Sequence, residues 1–448
     1  MQRDLTTGGV TGNLVRFALP LMAGNLLQQL YNLADTWVVG YYLGADALAA
    51  VGSAYALMVF LTSILLGLSM GSGAVFSMQF GRKDWEGLKN SMFLSFVLIL
   101  SVALALNLGA FAGVDGILWL LQTPPEVADM MKEYLLVVFS GILGVFLYNY
   151  FASLLRAVGN SSVPLVFLAL AAALNILLDL LFVLVFHWGV AGAGGATVIA
   201  QFLSGFGLMG YALARFPQLR PNRRHLCWNG GALKELAHFS FLTCIQQSVM
   251  NFGILMIQGL VNSFGPQVMA AFAAAVKIDS LAYMPAQDFG NAFSTYTAQN
   301  YGAGKPERIQ KGIRSAFLLV FLFCLTVSGA VCAFAPELMG LFLQPGQEEV
   351  VRIGAEYLRM EGACYLGIGV LFLLYGYYRA VAKPGMSILL TVVSLGTRVV
   401  LAYLLAPLPQ IGVTGIWAAV PVGWLLADVI GIWYYLGSKK RENGRALH

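Results

Sequence analysis

The chain is poor in charge and in the side chains on which much enzyme and metal chemistry depends. Of its 448 residues only 10% are charged, whereas soluble domains carry about 25%. Four histidines are present and no HExxH motif occurs. The five cysteines show no CxxC spacing, so neither a disulfide framework nor a zinc site is expected. The composition argues against a soluble globule and indicates no cofactor.

Long apolar runs dominate what is present, since 59% of the residues are hydrophobic. A helix of about 20 apolar residues crosses the roughly 30 Å of hydrocarbon in a bilayer. Barrel strands would be shorter and would alternate in polarity, so the runs predict an all-α membrane protein embedded in the lipid bilayer. Twelve spans are predicted, at roughly 14–39, 48–78, 91–112, 133–155, 163–187, 190–214, 236–262, 268–298, 312–334, 354–378, 386–406 and 411–436.

The net charge of +5 does not indicate a nucleic-acid partner, because the basic residues follow the topology. With twelve spans, nearly all lysines and arginines fall on one side of the membrane. The exceptions are Lys132, Lys277, Arg352, Arg359 and Arg398. The positive-inside rule then predicts that both termini are cytoplasmic. The apolar run after Arg3 lacks a small-residue cleavage site, so we expect it to be retained as a helix.

The sequence contains an internal repeat in two copies. A shift of 221 residues places Gln79-Phe80-Gly81 on Asn300-Tyr301-Gly302, and a shift of 223 places Arg156-Ala157-Val158 on Arg379-Ala380-Val381. Each copy holds six spans, and an even number of crossings makes the two repeats parallel. We therefore predict two six-helix lobes, 1–214 and 235–448, joined by a cytoplasmic loop, 215–234, and facing each other across a central cleft. Such lobes can alternate access by rocking, although an old duplication kept only for packing is the alternative.

The first span carries a polar stripe. Asn25, Gln28, Asn32 and Asp35 share one helical face, with spacings of three, four and three residues. A charged side chain at membrane depth costs about 2.5–3.5 kcal/mol even on lenient insertion scales. These residues are therefore expected to face a cavity or a partner. Pro20, earlier in the same span, is either a hinge or a static kink.

More polar residues lie in the spans that follow in the first lobe. Asn175 and Asp179 are four residues apart in the fifth span, Thr197 and Gln201 are four apart in the sixth, and Asn149 lies in the fourth. With Asp35 they form a set of two carboxylates among neutral oxygen donors. Such a set suits a proton, a sodium ion, or one site used by both. The alternative is that each side chain merely bonds to a neighbouring helix.

The second lobe does not repeat this set. Arg398 stands where the first copy has Asn175, and an alanine stands where it has Asp179. The ionisable residues of this lobe include Lys277, Asp279 and Glu361. We predict that one of the acids neutralises Arg398 in a structural ion pair.

A second polar stripe lies on the eighth span, where Asp288, Asn291 and Thr295 are spaced by three and four residues. Together with Asn25, Gln28, Asn32 and Gln201, these three residues are predicted to line the substrate cavity.

Several phrases of the sequence resemble those of the multidrug and toxic compound extrusion (MATE) transporters of bacteria. The resemblance covers essentially the whole chain. It is carried by Gln299-Asn300-Tyr301-Gly302-Ala303-Gly304 with Lys305-Pro306-Glu307-Arg308, by Gln79-Phe80-Gly81, by Gln28-Gln29-Leu30-Tyr31-Asn32-Leu33-Ala34-Asp35, by Asn175-Ile-Leu-Leu-Asp179, and by Arg156-Ala157-Val158-Gly159-Asn160.

The resemblance implies an antiporter that exports amphipathic, often cationic compounds against an inward flow of protons or sodium ions. Asp35, Asn149, Asn175, Asp179 and Thr197 match residues of the family's cation site in the first lobe. Pro20 matches a helix-bending proline. Members with a second-lobe sodium site carry an acid in the seventh span, where this chain has Gln246 and Gln247. This departure favours coupling through the first lobe.

The resulting expectation is an efflux antiporter, monomeric, in the bacterial cytoplasmic (inner) membrane, with H⁺ or Na⁺ as the coupling ion. The acids favour cationic drugs or toxic organic compounds as substrates. A flippase of lipid-linked precursors from the same superfamily is the first alternative. An intramembrane enzyme using Asp35 and Asp179 as an acid/base pair is the second, although it lacks a reactive third group, and a channel is less favoured still.

Overall fold

The computed structural model describes residues 4–120, 123, 125–342 and 346–445, and within them the chain forms helices and turns without a strand. The prediction of an all-α membrane protein is confirmed. The α-helices are α1 (Val10–Leu43), α2 (Ala45–Arg82), α3 (Trp85–Ala112), α4 (Val114–Leu120), α5 (Pro125–Ser140), α6 (Ile142–Ala157), α7 (Ser162–Leu180), α8 (Gly189–Arg215), α9 (Gly230–Asn262), α10 (Pro266–Gly302), α11 (Pro306–Ala333), α12 (Ala335–Gly340), α13 (Glu348–Gly362), α14 (Tyr365–Ala380), α15 (Pro384–Leu405) and α16 (Val413–Arg445).

These helices supply the predicted spans. Among the described residues, eight helices are long and apolar enough to cross a membrane, and the number rises to ten when the bent pairs α5–α6 and α13–α14 each count as one span. The two remaining long helices, α1 and α9, are 34 and 33 residues long. Both interrupt their apolar sequence with amide side chains, among them Gln28 in α1 and Gln246 in α9. The arrangement is consistent with twelve spans in two repeats.

The spans predicted as continuous over 133–155 and 354–378 are broken in the structure. α5 and α6 meet at an angle of 42°, and α13 and α14 meet at 51°. At the first break, a Cβ added to Gly141 would lie 2.5 Å from Oε1 of Gln201. The glycine therefore permits a close approach between the break and α8, which hydropathy alone does not predict.

The backbone repeats as the sequence does. The order α1–α8 recurs as α9–α16, with the short α4 matched by α12 and the bent pair α5–α6 matched by α13–α14. Left-handed backbone conformations also recur at a separation of 221 or 223 residues. The matched positions are Gly44 and Gly265, Lys83 and Gly304, Gly159 and Ala382, and Gly189 and Gly412.

By their internal contacts the described residues form two compact units. Unit 1 comprises 4–7, 19–244 and 298–304, and unit 2 comprises 8–18, 245–297 and 305–445. α1 therefore changes unit between Ala18 and Leu19, next to Pro20, and α9 changes unit between Cys244 and Ile245. The lobes predicted from the repeat, with the loop 215–234 as their linker, are defined on another basis and stay a prediction.

The matched phrases Gln79-Phe80-Gly81 and Asn300-Tyr301-Gly302 mark a helix crossing inside unit 1. A Cβ on Gly81 would lie within 2.0 Å of the Gln299 carbonyl oxygen, and one on Gly302 would lie within 1.9 Å of the Met78 carbonyl oxygen. Only glycine allows two backbones to approach so closely. The Gln299 side chain also accepts a hydrogen bond from the backbone N–H of Leu5, at 3.1 Å.

The loop between α8 and α9 is held on α3 through His225. The backbone N–H of Asn222 donates to His225 Nδ1 at 2.9 Å, so Nε2 carries the ring hydrogen and donates to Glu86 Oε2 at 2.6 Å. Nδ2 of Asn90 donates to the carbonyl oxygens of His225 and Cys227, at 3.0 and 2.9 Å. The loop is thus a defined structure rather than a free tether.

The attachment of this loop is expected to weaken in acid. The hydrogen bond from His225 holds the pKa of the exposed Glu86 below its ordinary value of 4.5. A lowered pKa in the folded state stabilises the attachment above the ordinary value, and this stabilisation is lost as the pH falls through the lowered value. Hydrogen exchange of residues 220–228, corrected for intrinsic rates, should therefore accelerate below about pH 4.5. In Glu86→Gln the exchange should be fast at every pH; an unchanged acid-induced step in that variant would contradict this origin.

Candidate functional site

Asp35 of α1 and Asp179 of α7 meet inside unit 1. Their carboxyl groups are close neighbours. Asp179 is fully buried and Asp35 is partly buried. A hydrogen bond between two carboxyl groups requires a proton, and two bare carboxylates so close would repel strongly where the dielectric constant is low. A proton or a small cation removes that repulsion.

Asn175 and Thr197 complete a polar cluster around Asp179. When the Asn175 amide is oriented with its oxygen towards Thr197, its nitrogen donates to Asp179 Oδ2 at 3.3 Å. Its oxygen then accepts from the backbone N–H and from Oγ1 of Thr197, both at 3.2 Å. Asn175 is buried and Thr197 is partly buried. The four-residue spacing that placed Asn175 and Asp179 on one face therefore also brings both towards α8.

The helix changes its geometry directly beyond this cluster. α7 ends at Leu180, and Leu181–Val185 form a π-helical turn. A π-helical turn is rare, and such turns are frequent at functional sites because they shift the side chains of the helix relative to their neighbours. The sequence, a plain apolar run at this point, does not predict the turn.

The other two predicted members of the first-lobe set lie apart from these contacts. Asn149 of α6 donates to the carbonyl oxygen of Val145 in its own helix, at 3.0 Å. Gln201 of α8 packs against Gly141 at the break between α5 and α6. Their assignment to ion coupling and to the substrate cavity, respectively, stays a prediction.

Several tyrosines lie near the carboxyl pair, and sequence reasoning did not single them out. Tyr31 of α1 and Tyr134 of α5 both interact electrostatically with Asp35 and Asp179, and with Tyr55 of α2. Tyr134 is buried and Tyr31 is partly buried. Tyr31 could have been found, since it stands one helical turn before Asp35 in the same phrase. Tyr134 comes from another helix and carries no such signal.

The remaining polar residues of the stripe on α1 differ in their exposure. Asn25 and Asn32 are partly buried, and Gln28 is exposed. Asn32 Nδ2 donates to the hydroxyl of Tyr55 at 3.5 Å, within unit 1. Asn32 is thereby linked to a tyrosine near the carboxyl pair, and the cavity assignment of all three residues stays a prediction.

In unit 2 the stripe on α10 meets a buried arginine. Arg379 of α14 donates to Asn291 Oδ1 at 3.0 Å and to Ser294 Oγ at 3.3 Å. Thr295 Oγ1 donates to the carbonyl oxygen of Asn291 at 3.4 Å, and Asp288 is buried. The amide of Asn291 therefore holds a neighbouring helix, which the sequence prediction of a cavity-lining residue did not include.

A second pair of buried acids lies in unit 2. Asp279 of α10 and Glu361 of α13 are both buried, and they lie close to each other and to Tyr365 and Tyr357. Arg398 of α15 interacts electrostatically with both acids.

The predicted ion pair of Arg398 is looser than expected. Within the described ranges no acid oxygen lies within 4.0 Å of its guanidinium, and its Nε has no hydrogen-bond partner. Lys277 is exposed and forms no ion pair in the described part of the chain.

Asp428 of α16 is a buried acid that the sequence prediction missed. It lies close to Gly367 of α14, where an added Cβ would be 3.8 Å from Asp428 Oδ2. A single acid inside the apolar run of the twelfth span was a usable signal. Across the described ranges no group of three or more His, Cys, Asp and Glu side chains could hold a metal ion.

The family model named MatE matches residues 20–181 and again 241–404, once on each copy of the repeat. Among curated proteins the chain is similar to the probable multidrug resistance protein YpnP of Bacillus subtilis, with 30% identity over 96% of each chain. It is also similar to an FAD transporter of Shewanella oneidensis, with 24% identity over 97% of this chain and 95% of the other.

The fold agrees with these matches. The crystal structure of a MATE protein in the bent conformation superimposes with a TM-score of 0.92, over 99% of this chain and 98% of the other, at 23% identity. Relatives and structural neighbours are transporters, so the intramembrane-enzyme alternative is set aside. Because the family model covers both halves and the match to YpnP spans nearly the whole of both sequences, the chain belongs to the MATE family of membrane transporters.

Proposed function

We propose that this transporter is a secondary active efflux antiporter, which exports amphipathic organic cations in exchange for protons or sodium ions. The observation that carries the proposal is the pairing of Asp35 with the fully buried Asp179. Asn175 lies at hydrogen-bonding distance from both Asp179 and Thr197. Placing two carboxyl groups inside a membrane protein costs free energy, and ionisable residues at such depth commonly mark ion pathways.

The chemistry of the pair supports exchange. Without a bound cation the two carboxylates repel each other, and a proton or Na⁺ between their oxygens turns this repulsion into attraction. The Asn175 nitrogen donates to Asp179, and the Asn175 oxygen accepts from Thr197, so these two residues position the carboxyl group that would bind the ion. Binding and release of the ion thus change the forces between α1 and α7, which is the requirement for coupling to a conformational change.

Pro20 supports a mechanical role for α1. A proline inside a helix leaves a carbonyl group without its usual hydrogen bond and lets the helix bend. Pro20 follows the point at which α1 passes from unit 2 to unit 1, and Asp35 lies further along the same helix. In our proposal α1 bends at Pro20 when the ion at Asp35 changes, and the two lobes alternate access around a central cleft.

The substrate class is inferred from charge and from the named relatives. Acids next to several tyrosines favour a cationic, partly aromatic compound, through charge attraction and cation–π contacts. YpnP is named a probable multidrug resistance protein, which agrees with this class, whereas the Shewanella relative is named an FAD transporter. An anionic flavin is therefore the comparison substrate in any assay.

We further propose that both termini are cytoplasmic, in the inner membrane of a bacterium, and that the monomer is the working unit. The basic residues follow the positive-inside rule, and the two repeats together form the complete set of spans.

The test is export of a cationic dye from proteoliposomes under a proton gradient alone and under a sodium gradient alone. Wild type should respond to at least one gradient, and Asp35→Asn should respond to neither while eluting as a folded protein. Asp46→Asn is the matched control, since this exposed acid lies in the first turn of α2. Normal pumping by Asp35→Asn would remove Asp35 from the mechanism, and gradient-driven export of FAD but not of the dye would overturn the cationic class.

A further inference from the structure

The loop between α8 and α9 presents a basic surface of fixed shape. Glu235 is the one acid in the sequence from 215 to 235, and the basic side chains there are all exposed. These are Arg215, Arg220, Arg223, Arg224 and Lys234. Because the loop is attached to α3 through His225 and Asn90, the cations are held together rather than dispersed on a mobile chain.

The fold decides which side chains of the loop point inward. Phe216, Leu219 and His225 are buried, and they anchor the loop. Trp228 is 67% exposed, yet its ring contacts that of Phe93 in α3 edge-on, with 6.0 Å between ring centroids. Exposing the apolar indole ring to water is unfavourable, and a Trp side chain held in such a position is typical of a membrane surface.

Not all of the basic side chains in this loop are available to bind a ligand. The guanidinium of Arg220 donates to the carbonyl oxygens of Leu213 and Ala214, at 2.5 and 2.9 Å, and so caps the end of α8. Arg223 and Arg224 form no ion pair with any described residue. These two arginines, with Trp228 beside them in the loop, are the part of the surface that can take a ligand.

We propose that Arg223, Arg224 and Trp228 form a binding surface for the headgroups of anionic phospholipids. α8 ends at Arg215 and α9 begins at Gly230, so the loop between these two spans lies at a membrane surface. There, basic side chains are attracted to anionic headgroups, and indole rings prefer the level of the headgroups. The proposal depends neither on the coupling ion nor on which leaflet the loop faces.

The experiment titrates the purified transporter, in neutral detergent, with phosphatidylglycerol or with phosphatidylcholine of the same chain length. The emission of Trp228 is isolated by subtracting the signal of Trp228→Phe. Phosphatidylglycerol should cause a saturable change at a lower concentration than phosphatidylcholine. Arg223→Gln/Arg224→Gln should weaken the apparent affinity for phosphatidylglycerol by roughly fivefold for each arginine removed.

The matched control is Lys311→Gln/Arg314→Gln, which removes two exposed cations from α11. Its affinity for phosphatidylglycerol should equal that of wild type. The proposal is overturned if the two lipids act equally, if the loop variant binds as well as wild type, or if the control loses as much. Inorganic phosphate is the third ligand, and saturation by phosphate at the same concentration would indicate a general anion site in place of a lipid surface.

Discussion

Asp179→Asn is expected to abolish gradient-driven export while the protein still folds. The amide occupies nearly the volume of the carboxyl group, so the packing of the fully buried side chain is kept. It cannot release a proton or balance the charge of a sodium ion, and Asp35 is then left facing a neutral group. Under the proposed coupling, α1 and α7 would then no longer respond to ion exchange. The measurement is initial dye export from proteoliposomes, together with the melting temperature in detergent.

A milder substitution distinguishes a role in ion binding from a role in packing alone. Thr197→Val keeps the shape of the side chain but removes the hydroxyl that bonds to Asn175. Since loss of a partner to a liganding group commonly lowers ion affinity by about 10- to 100-fold, we expect a higher ion concentration for half-maximal export rather than no export. Asp129→Asn, at an exposed acid of α5, should match wild type. Equal loss of export in all three variants, or none in Asp179→Asn, would contradict the proposed coupling site.

Gly302→Ala is expected to destabilise the protein severely. The added Cβ would lie within 1.9 Å of the Met78 carbonyl oxygen, a backbone atom that no side-chain rotation can move. α2 and α10 would have to separate at their crossing, and overpacking of this kind costs about 1–3 kcal/mol or more. Separation of the two helices would also disturb the hydrogen bonds of the Gln299 side chain, which accepts from the backbone N–H of Leu5 and donates to the carbonyl oxygen of Ala157. The measurement is the melting temperature and the yield of monodisperse protein.

Gly210→Ala is the matched control for this prediction. Gly210 is an exposed glycine in α8, and nothing lies within 4 Å of an added Cβ. Alanine should be neutral there, or stabilising by up to about 1 kcal/mol, because it favours the helix. If Gly302→Ala melts at the temperature of Gly210→Ala, the crossing can relax without cost and the close approach is not what the glycine serves.

The helical periodicity predicted that Asn175 and Asp179 share one helical face, and their assignment to ion coupling stays a prediction. Asn175 and Asp179, four residues apart, do lie together, and the carboxyl of Asp35 reaches Asp179 from another helix. The repeat in the sequence likewise predicted where the backbone repeats, down to the paired glycines Gly44 and Gly265. Both successes rest on local rules, namely the helical period and the need for glycine where the backbone turns left-handed.

Features set by contacts between distant helices were missed. Tyr134 joins the carboxyl pair from α5, and Asp279 meets Glu361 across α10 and α13, although their spacing in sequence carries no sign of either contact. Gly141, at the break between α5 and α6, likewise lies close to Gln201 of α8. A structural ion pair of Arg398 was predicted from charge alone, whereas no acid oxygen of the described residues lies within 4.0 Å of its guanidinium.

The sequence by itself determined the membrane-spanning helices, their twofold repetition and the helical faces that carry polar groups. These follow from hydrophobic length and from a fixed rise and turn per residue. Only the tertiary structure decided which polar faces meet, where spans bend, and which residues of the 215–234 loop point outward. Those outcomes depend on side chains from segments far apart in sequence competing for the same space and the same hydrogen bonds, and no local pattern records that competition.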